Sequence, residues 1–293
     1  MRRFVCLVLI LLVQAAWASD GPLTITFFDV GTADAALVTT PAGEHILIDG
    51  GTREGGEKVA NYLKLHAIKT LDVVIATHPH PDHIAGLAQI IREFEVKSLY
   101  DSGMQYECEG YTAFREALSK FKGTVTTVCG RMIVSLPSGV QLDFLNPKRP
   151  AKHIHTDCIV LRLRYRDVAA LFAADANDIA EGVLLFDEVP LKSDILKVGH
   201  HGDSDSTTEE FLKAVAPRFA VITVGMPNEY GRPHQVILDR LKGQRIEVYR
   251  TDECGDITFT MEGTTVGPPK LQRQPQEPAA IGDAVLFTPH TGH

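Results

Sequence analysis

The sequence has no excess of basic charge. It holds 29 Lys and Arg against 37 Asp and Glu, a formal net charge of −8 at pH 7. Sequence-independent binding to DNA rests on Lys and Arg neutralising phosphates, so an avid binder of that kind is not expected. A metal site acting on phosphate is still open, because ions bring their own positive charge. Among five cysteines there is no Cys-x-x-Cys pair, which argues against a thiolate zinc site. No apolar run has the length of a membrane span. The one sustained run, from Phe4 to Ala16, is short for that purpose. It follows Met1-Arg2-Arg3 and reaches Ala16-Trp17-Ala18-Ser19, the layout of a secretory signal peptide cut after Ala18. Residues 1–18 are therefore expected to be removed, giving an exported, periplasmic or secreted chain without stable membrane association. Loss of Arg2 and Arg3 takes the formal charge to −10.

Cys108, Cys129, Cys158 and Cys254 then remain, and an even count in an exported chain suggests disulfides. The expected bridges are Cys108 with Cys129, both in a loop-rich stretch, and Cys158 with Cys254. No internal linker interrupts the sequence, so residues 20–262 are expected as one domain. Residues 263–293, rich in Pro, Gly and Gln, are expected as a mobile tail.

What the sequence does have is concentrated at Thr77-His78-Pro79-His80-Pro81-Asp82-His83. The apolar run Leu71 to Ala76 just before it reads as a buried strand. Ile84, Leu87, Ala88 and Ile91 just after it fall at helical spacing. Three imidazoles and a carboxylate thus gather on a strand-to-helix turn, where the two prolines favour extended neighbours. Neutral imidazole with carboxylate suits zinc or a similar divalent ion.

Other predicted strands end in the same residue types. His45 to Ile48 closes at Asp49-Gly50-Gly51, and Val168 to Phe172 closes at Ala173-Ala174-Asp175, with His153 and His155 upstream. Asp194 to Val198 closes at Gly199-His200-His201-Gly202. Convergence of these strand ends on one edge of a layered α/β fold explains them together. Helices are expected over 83–94, after an Asp178 cap, and after Ser206 or Thr207, each of which fits a capping box. On an extended strand, neighbouring side chains face opposite ways, so only one of His200 and His201 is expected to bind metal.

These motifs, with Asp29-Val30-Gly31 and Asp34 before them and Tyr230-Gly231-Arg232-Pro233-His234 after, resemble the metallo-β-lactamase fold superfamily of hydrolases. The likeness is greatest to the soluble hydrolase domain of the ComEC-type competence proteins, and it runs from about Leu23 to Thr260. It implies a four-layer αββα sandwich with two divalent ions, zinc or else manganese, at one edge. By motif, His78, His80 and His155 would hold the first ion, and Asp82, His83 and His200 the second. Asp175 would bridge them, and Asp49 would orient the ligand histidines by a hydrogen bond. His201 and His153 are further candidates. Competence-type domains often lack the second histidine of the cluster and carry Asn at the position of His155, whereas this chain has both histidines. Asp203 stands where Ser usually follows His-His-Gly, and the membrane channel segments of the competence proteins have no counterpart.

The expected activity is hydrolysis of a phosphodiester, such as single-stranded nucleic acid, by metal-activated hydroxide. Asp82 and His234 are the expected catalytic residues. Gly231 permits a tight turn and Pro233 suits a first helical position, which would set His234 at a helix start as proton donor to the leaving oxygen. Other esters or amides (phosphorylcholine ester, lactone, β-lactam) are the alternative substrates, and a non-catalytic metal-binding module is the alternative class.

Overall fold

The computed structural model describes residues 21–275. The expected leader and residues 276–293 of the expected tail lie outside the described residues. The chain begins with three antiparallel strands, β1 (Leu23–Phe27), β2 (Ala36–Thr39) and β3 (His45–Ile48). Helical crossovers then build parallel pairs: α1 (Arg53–Leu65), β4 (Thr70–Ala76), α2 (Pro81–Ile84), α3 (Leu87–Glu93), β5 (Glu95–Asp101), α4 (Glu109–Ser119) and β6 (Thr124–Thr127). The second half opens with four antiparallel strands, β7 (Met132–Ser135), β8 (Gln141–Asn146), β9 (Val160–Tyr165) and β10 (Val168–Phe172). Parallel strands follow, through α5 (Asp178–Phe186), β11 (Ile195–Lys197), α6 (Glu209–Val215), β12 (Phe219–Ile222), α7 (Gln235–Gly243) and β13 (Glu247–Arg250). After α8 (Thr251–Cys254), β14 (Ile257–Met261) and β15 (Lys270–Leu271) return to the first sheet.

The sheets run β15-β14-β1-β2-β3-β4-β5-β6 and β13-β12-β11-β10-β9-β8-β7. Between them lies a core that includes Phe27, Ile46, Ile75, Leu161, Phe172 and Phe219. Because side chains alternate across a strand, Leu47 and Val74 face outward onto Val59, Leu63 and Ile90 of the first helical layer. Leu171 and Leu196 likewise meet Leu184, Phe211 and Ile237 of the second. Each such side chain, fully buried, contributes about 1.5–3 kcal/mol. The result is the expected αββα sandwich.

Four local expectations are corrected. The sheet continues past residue 262, since β15 pairs with β14 through Ile257 opposite Leu271. The helix expected over 83–94 is broken at Ala85-Gly86. There the backbones cross: a Cβ on Gly86 would stand 2.0 Å from the Gly50 carbonyl oxygen and 2.7 Å from Gly56 Cα. The caps lie one or two residues from those expected. Asn177 accepts from Ala180 N at 3.1 Å, and Thr208 from Phe211 N at 3.3 Å. Finally, Cys108, Cys129, Cys158 and Cys254 are free thiols. Cys108 caps α4 by accepting from Tyr111 N, and Cys129 is exposed. Cys158 packs beside the second helical layer while Cys254 lies between the sheets, so that pair is held apart by the layers themselves.

Candidate metal centre

The C-terminal ends of β3, β4, β10, β11 and β12 meet at one rim of the sandwich. From β4, the turn Thr77–His83 delivers its side chains inward, with Pro81 as the first residue of α2. Nε2 of His78 lies 3.4 Å from Asp175 Oδ2 and 3.2 Å from His80 Nδ1. The His155 ring completes this group, 5.0 Å from the His80 ring between centroids. A second group, Asp82, His83, Asp175 and His201, adjoins the first. In each group the donor atoms lie within 4.8 Å of one another. Asp175 belongs to both, with Oδ2 toward His78 and Oδ1 3.2 Å from His83 Nε2.

The ring orientations are fixed from behind. Asp49, itself at φ 56°, accepts from His83 Nδ1 at 2.8 Å, from Thr77 Oγ1 at 2.7 Å and from Thr77 N at 2.8 Å. His201 Nδ1 donates to the Thr223 carbonyl at 2.9 Å, which turns Nε2 toward Asp82 Oδ2 at 3.2 Å. A hydrogen bond at one ring nitrogen is how proteins set the tautomer of a metal-binding histidine. Asp157 Oδ2 accepts from Lys152 N and His153 N, closing the turn that presents His155.

Three buried atoms facing this space have no hydrogen-bond partner: His83 Nε2, His155 Nε2 and Asp175 Oδ1. His83 Nε2 and Asp175 Oδ1 stand 3.2 Å apart there. An unsatisfied buried polar group costs about 1–3 kcal/mol, and two imidazole nitrogens with a carboxylate oxygen aimed at one space suit cations once His83 gives up its proton. The residues present therefore fit divalent metal ions.

The charge states agree. Burial, reinforced by the neighbouring His83, holds His78 below its ordinary pKa. Burial and His78 bring His80 down to about 3, and burial with His200 lowers His155. These three imidazoles are thus neutral and ready as ligands. His83 differs: burial opposes its charge, but Asp175, Asp49 and Asp82 together raise its pKa well above the ordinary value. Burial likewise opposes charge on Asp175, and His83, His201 and His78 outweigh it and hold that carboxyl well down.

Three expected roles change. His201, not His200, joins Asp82 and His83, while His200 falls in a separate group with His155 and Asp205. The reason is that Gly199–Gly202 is a 3-10 turn with His200 at φ 48° and His201 at φ 54°, not an extended strand end. His200 instead donates from Nδ1 to Asp205 Oδ1 at 2.9 Å and accepts at Nε2 from Arg232 Nη2 at 2.9 Å. His153 is exposed and stands outside both groups. His234 caps α7 rather than lying within it. Its Nδ1 accepts from Ser204 N at 3.0 Å and its Nε2 donates to Tyr230 O at 3.1 Å. With both nitrogens engaged by backbone, His234 ties two loops together and is not posed as a proton donor.

Sequence reasoning gave no role to a buried ion pair behind the centre or to a guanidinium at its rim. Asp34 Oδ2 meets Lys197 Nζ at 2.5 Å, and Asp34 also accepts from Thr223 Oγ1. The readable signal was a lysine inside the apolar strand Ile195–Lys197, since Lys is almost never buried unpaired. Arg232 donates to Asp203 Oδ2 from Nε at 2.9 Å, and its side chain is only 11% exposed. It carried no signal of its own, because its meaning depends on the fold of the loop around it.

The profile of the metallo-beta-lactamase superfamily matches residues 28–225. The chain belongs to that superfamily. It is a metal-dependent hydrolase. ComE operon protein 3 of Bacillus subtilis (strain 168) is 30% identical over 274 residues, covering 87% of this chain and 35% of that protein. Competence protein ComA of Neisseria gonorrhoeae is 28% identical over 258 residues, covering 87% of this chain and 34% of that one. The chain therefore spans about one third of the length of these relatives. Among solved structures, the metallo-beta-lactamase fold protein YhfI from Bacillus subtilis superposes with a TM-score of 0.55 at 15% identity. That match covers 82% of this chain and 99% of YhfI, and it shows the shared fold.

Proposed function

We propose that this metallo-hydrolase is a phosphodiesterase working with two divalent ions, zinc or else manganese, on single-stranded nucleic acid. His78, His80 and His155 would hold one ion and Asp82, His83 and His201 the other, with one oxygen of Asp175 for each. Bound ions supply a lowered pKa for water, from about 15.7 toward about 7, and charge stabilisation on phosphoryl oxygens. The rest falls to the chain. Asp49 and the Thr223 carbonyl hold His83 and His201 in the ligating tautomer. Asp203 holds Arg232 beside His200, whose Nε2 lies 3.8 Å from Asp175 Oδ2.

The observation that carries the choice of substrate is Arg232. Its Nε and Nη2 are engaged and the guanidinium lies 4.8 Å from the Tyr230 ring centroid, while Nη1 makes no hydrogen bond among the described residues. A planar guanidinium with free N–H groups suits a phosphate oxygen. One relative is named Competence protein ComA and another Recombination protein 2, and a nucleic acid substrate is in keeping with those names. Export, resting on the leader pattern of residues 1–18, belongs to the same proposal.

The test is a panel on metal-loaded protein: single-stranded oligonucleotide, bis(p-nitrophenyl) phosphate, a phosphorylcholine ester, a lactone and a β-lactam. Phosphodiester turnover should dominate. Arg232→Ala should lower its kcat/KM on the order of 100-fold, as loss of one preorganised donor does, while leaving metal content intact. Turnover of the lactone or β-lactam alone would overturn the proposal.

A further inference from the structure

Beside His155 an open pocket of about 440 Å³ runs between the β5–α4 loop and the turn before β9. Its volume falls within the range of small-ligand sites. Tyr106 stands at its wall, 38% exposed, with its ring 5.2 Å from the His80 ring and nearly edge-on to it at 72°. One edge of Tyr106 thus touches the metal centre while much of the ring stays open to solvent. On the other side, Asn177 Oδ1 accepts from Ala180 N at 3.1 Å and from Thr156 Oγ1 at 3.3 Å. That fixes the amide and leaves its NH2 without a protein partner among the described residues. Lys152 lines the same pocket and is exposed.

An exposed aromatic face, a fixed amide donor and a flexible cation within one pocket match a nucleotide in its parts. Bases stack on aromatic side chains with little regard to sequence, and single-strand sites pair such stacking with cationic groups that follow the backbone. A base carbonyl can accept from an amide NH2, and Lys serves as a mobile countercharge to phosphate. We propose that this pocket is the base subsite, taking the nucleobase adjoining the scissile phosphate, stacked on Tyr106 with Asn177 on its edge. The proposal rests on the phosphodiesterase reading and names the part of the substrate held beside the scissile phosphate.

The experiment compares thymidine 5′-monophosphate with deoxyribose 5-phosphate as ligands of the metal-loaded full chain, by calorimetry. Neither contains a phosphodiester, so binding is read without turnover. Wild type should bind the nucleotide on the order of tenfold more tightly, as base stacking implies. Tyr106→Ala should abolish that difference while leaving deoxyribose 5-phosphate affinity unchanged, and Tyr106→Phe should retain it. Equal affinity for the two ligands in wild type, or an unchanged preference in Tyr106→Ala, would overturn the subsite. Hydrolysis of single-stranded oligonucleotide by the same preparation is scored separately. If the base preference holds but no phosphodiester is cleaved, the activity is wrong and the pocket stands. If oligonucleotide is cleaved but the preference is absent, the pocket is wrong and the activity stands.

Discussion

His200 and His201 are chain neighbours, both buried and both in left-handed backbone, yet they serve different masters. A left-handed residue other than glycine costs on the order of 1–3 kcal/mol and persists only where its surroundings demand it. Here the demand is visible on both sides. The Thr223 carbonyl takes His201 Nδ1, and Asp205 with Arg232 brackets His200. On the two-ion proposal, His201→Ala is accordingly expected to lose one ion and most turnover. His200→Ala should retain both ions, with its defect confined to substrate handling through Arg232. Elemental analysis beside kinetics separates them, and equal metal loss in the two variants would refute the assignment. His234→Ala is expected to keep its metals and raise KM more than it lowers kcat, because the loop bearing Arg232 loosens. A drop in kcat alone, corrected by a substrate with an acidic leaving group, would restore His234 as a proton donor.

At the level of elements, what the sequence made legible followed from periodicity. Strands that alternate or run apolar can be read locally, so the ends of β3, β4 and β10, with Asp49, His78 and Asp175 just beyond them, were in plain view. The 199–202 turn was not, because its geometry comes from Thr223 just past β12 and from partners in the 203–205 and 228–234 loops. The break between α2 and α3 was hidden for the same reason. Nothing in Ala85-Gly86 announces it; the cause is the distant Gly50-Gly51 backbone, which exchanges hydrogen bonds with it through Gly50 N to His83 O at 2.7 Å and Gly86 N to Gly51 O at 3.0 Å. This crossing positions His83. Gly86→Ala must push its Cβ against the Gly50 carbonyl, an overpacking cost of roughly 1–3 kcal/mol. Thermal unfolding should fall by roughly 2–12 °C, with weaker retention of metal at the His83 side. An unchanged Tm would mean that the crossing gives way easily.

Over the whole molecule, the donors are divided between the sheets. His78, His80, Asp82 and His83 follow β4 of the first, while His155, Asp175 and His201 flank β9, β10 and β11 of the second. In the metal-free chain the carboxylates are met by a proton on His83, whose raised pKa means the folded state holds that proton more firmly than an unfolded chain does. The stability so contributed is complete below the ordinary histidine value of 6.5 and is lost as pH rises through the raised value. Metal must displace the same proton. Zinc uptake near pH 7 should therefore release a proton, and affinity should climb with pH. Calorimetry in buffers of different ionisation enthalpy reads the number directly, and no buffer dependence would show that His83 is already neutral.

Because the donors hang from both halves, a bound ion is also a rivet through the seam. At a free ion concentration a thousand times Kd, such a ligand adds about 4 kcal/mol to the folded state. Chelation should then do more than stop turnover. It should let the two sheets part at that rim, so that resistance to proteolysis rises and falls with the metal supply around the protein, and the chain's working lifetime becomes a gauge of its surroundings.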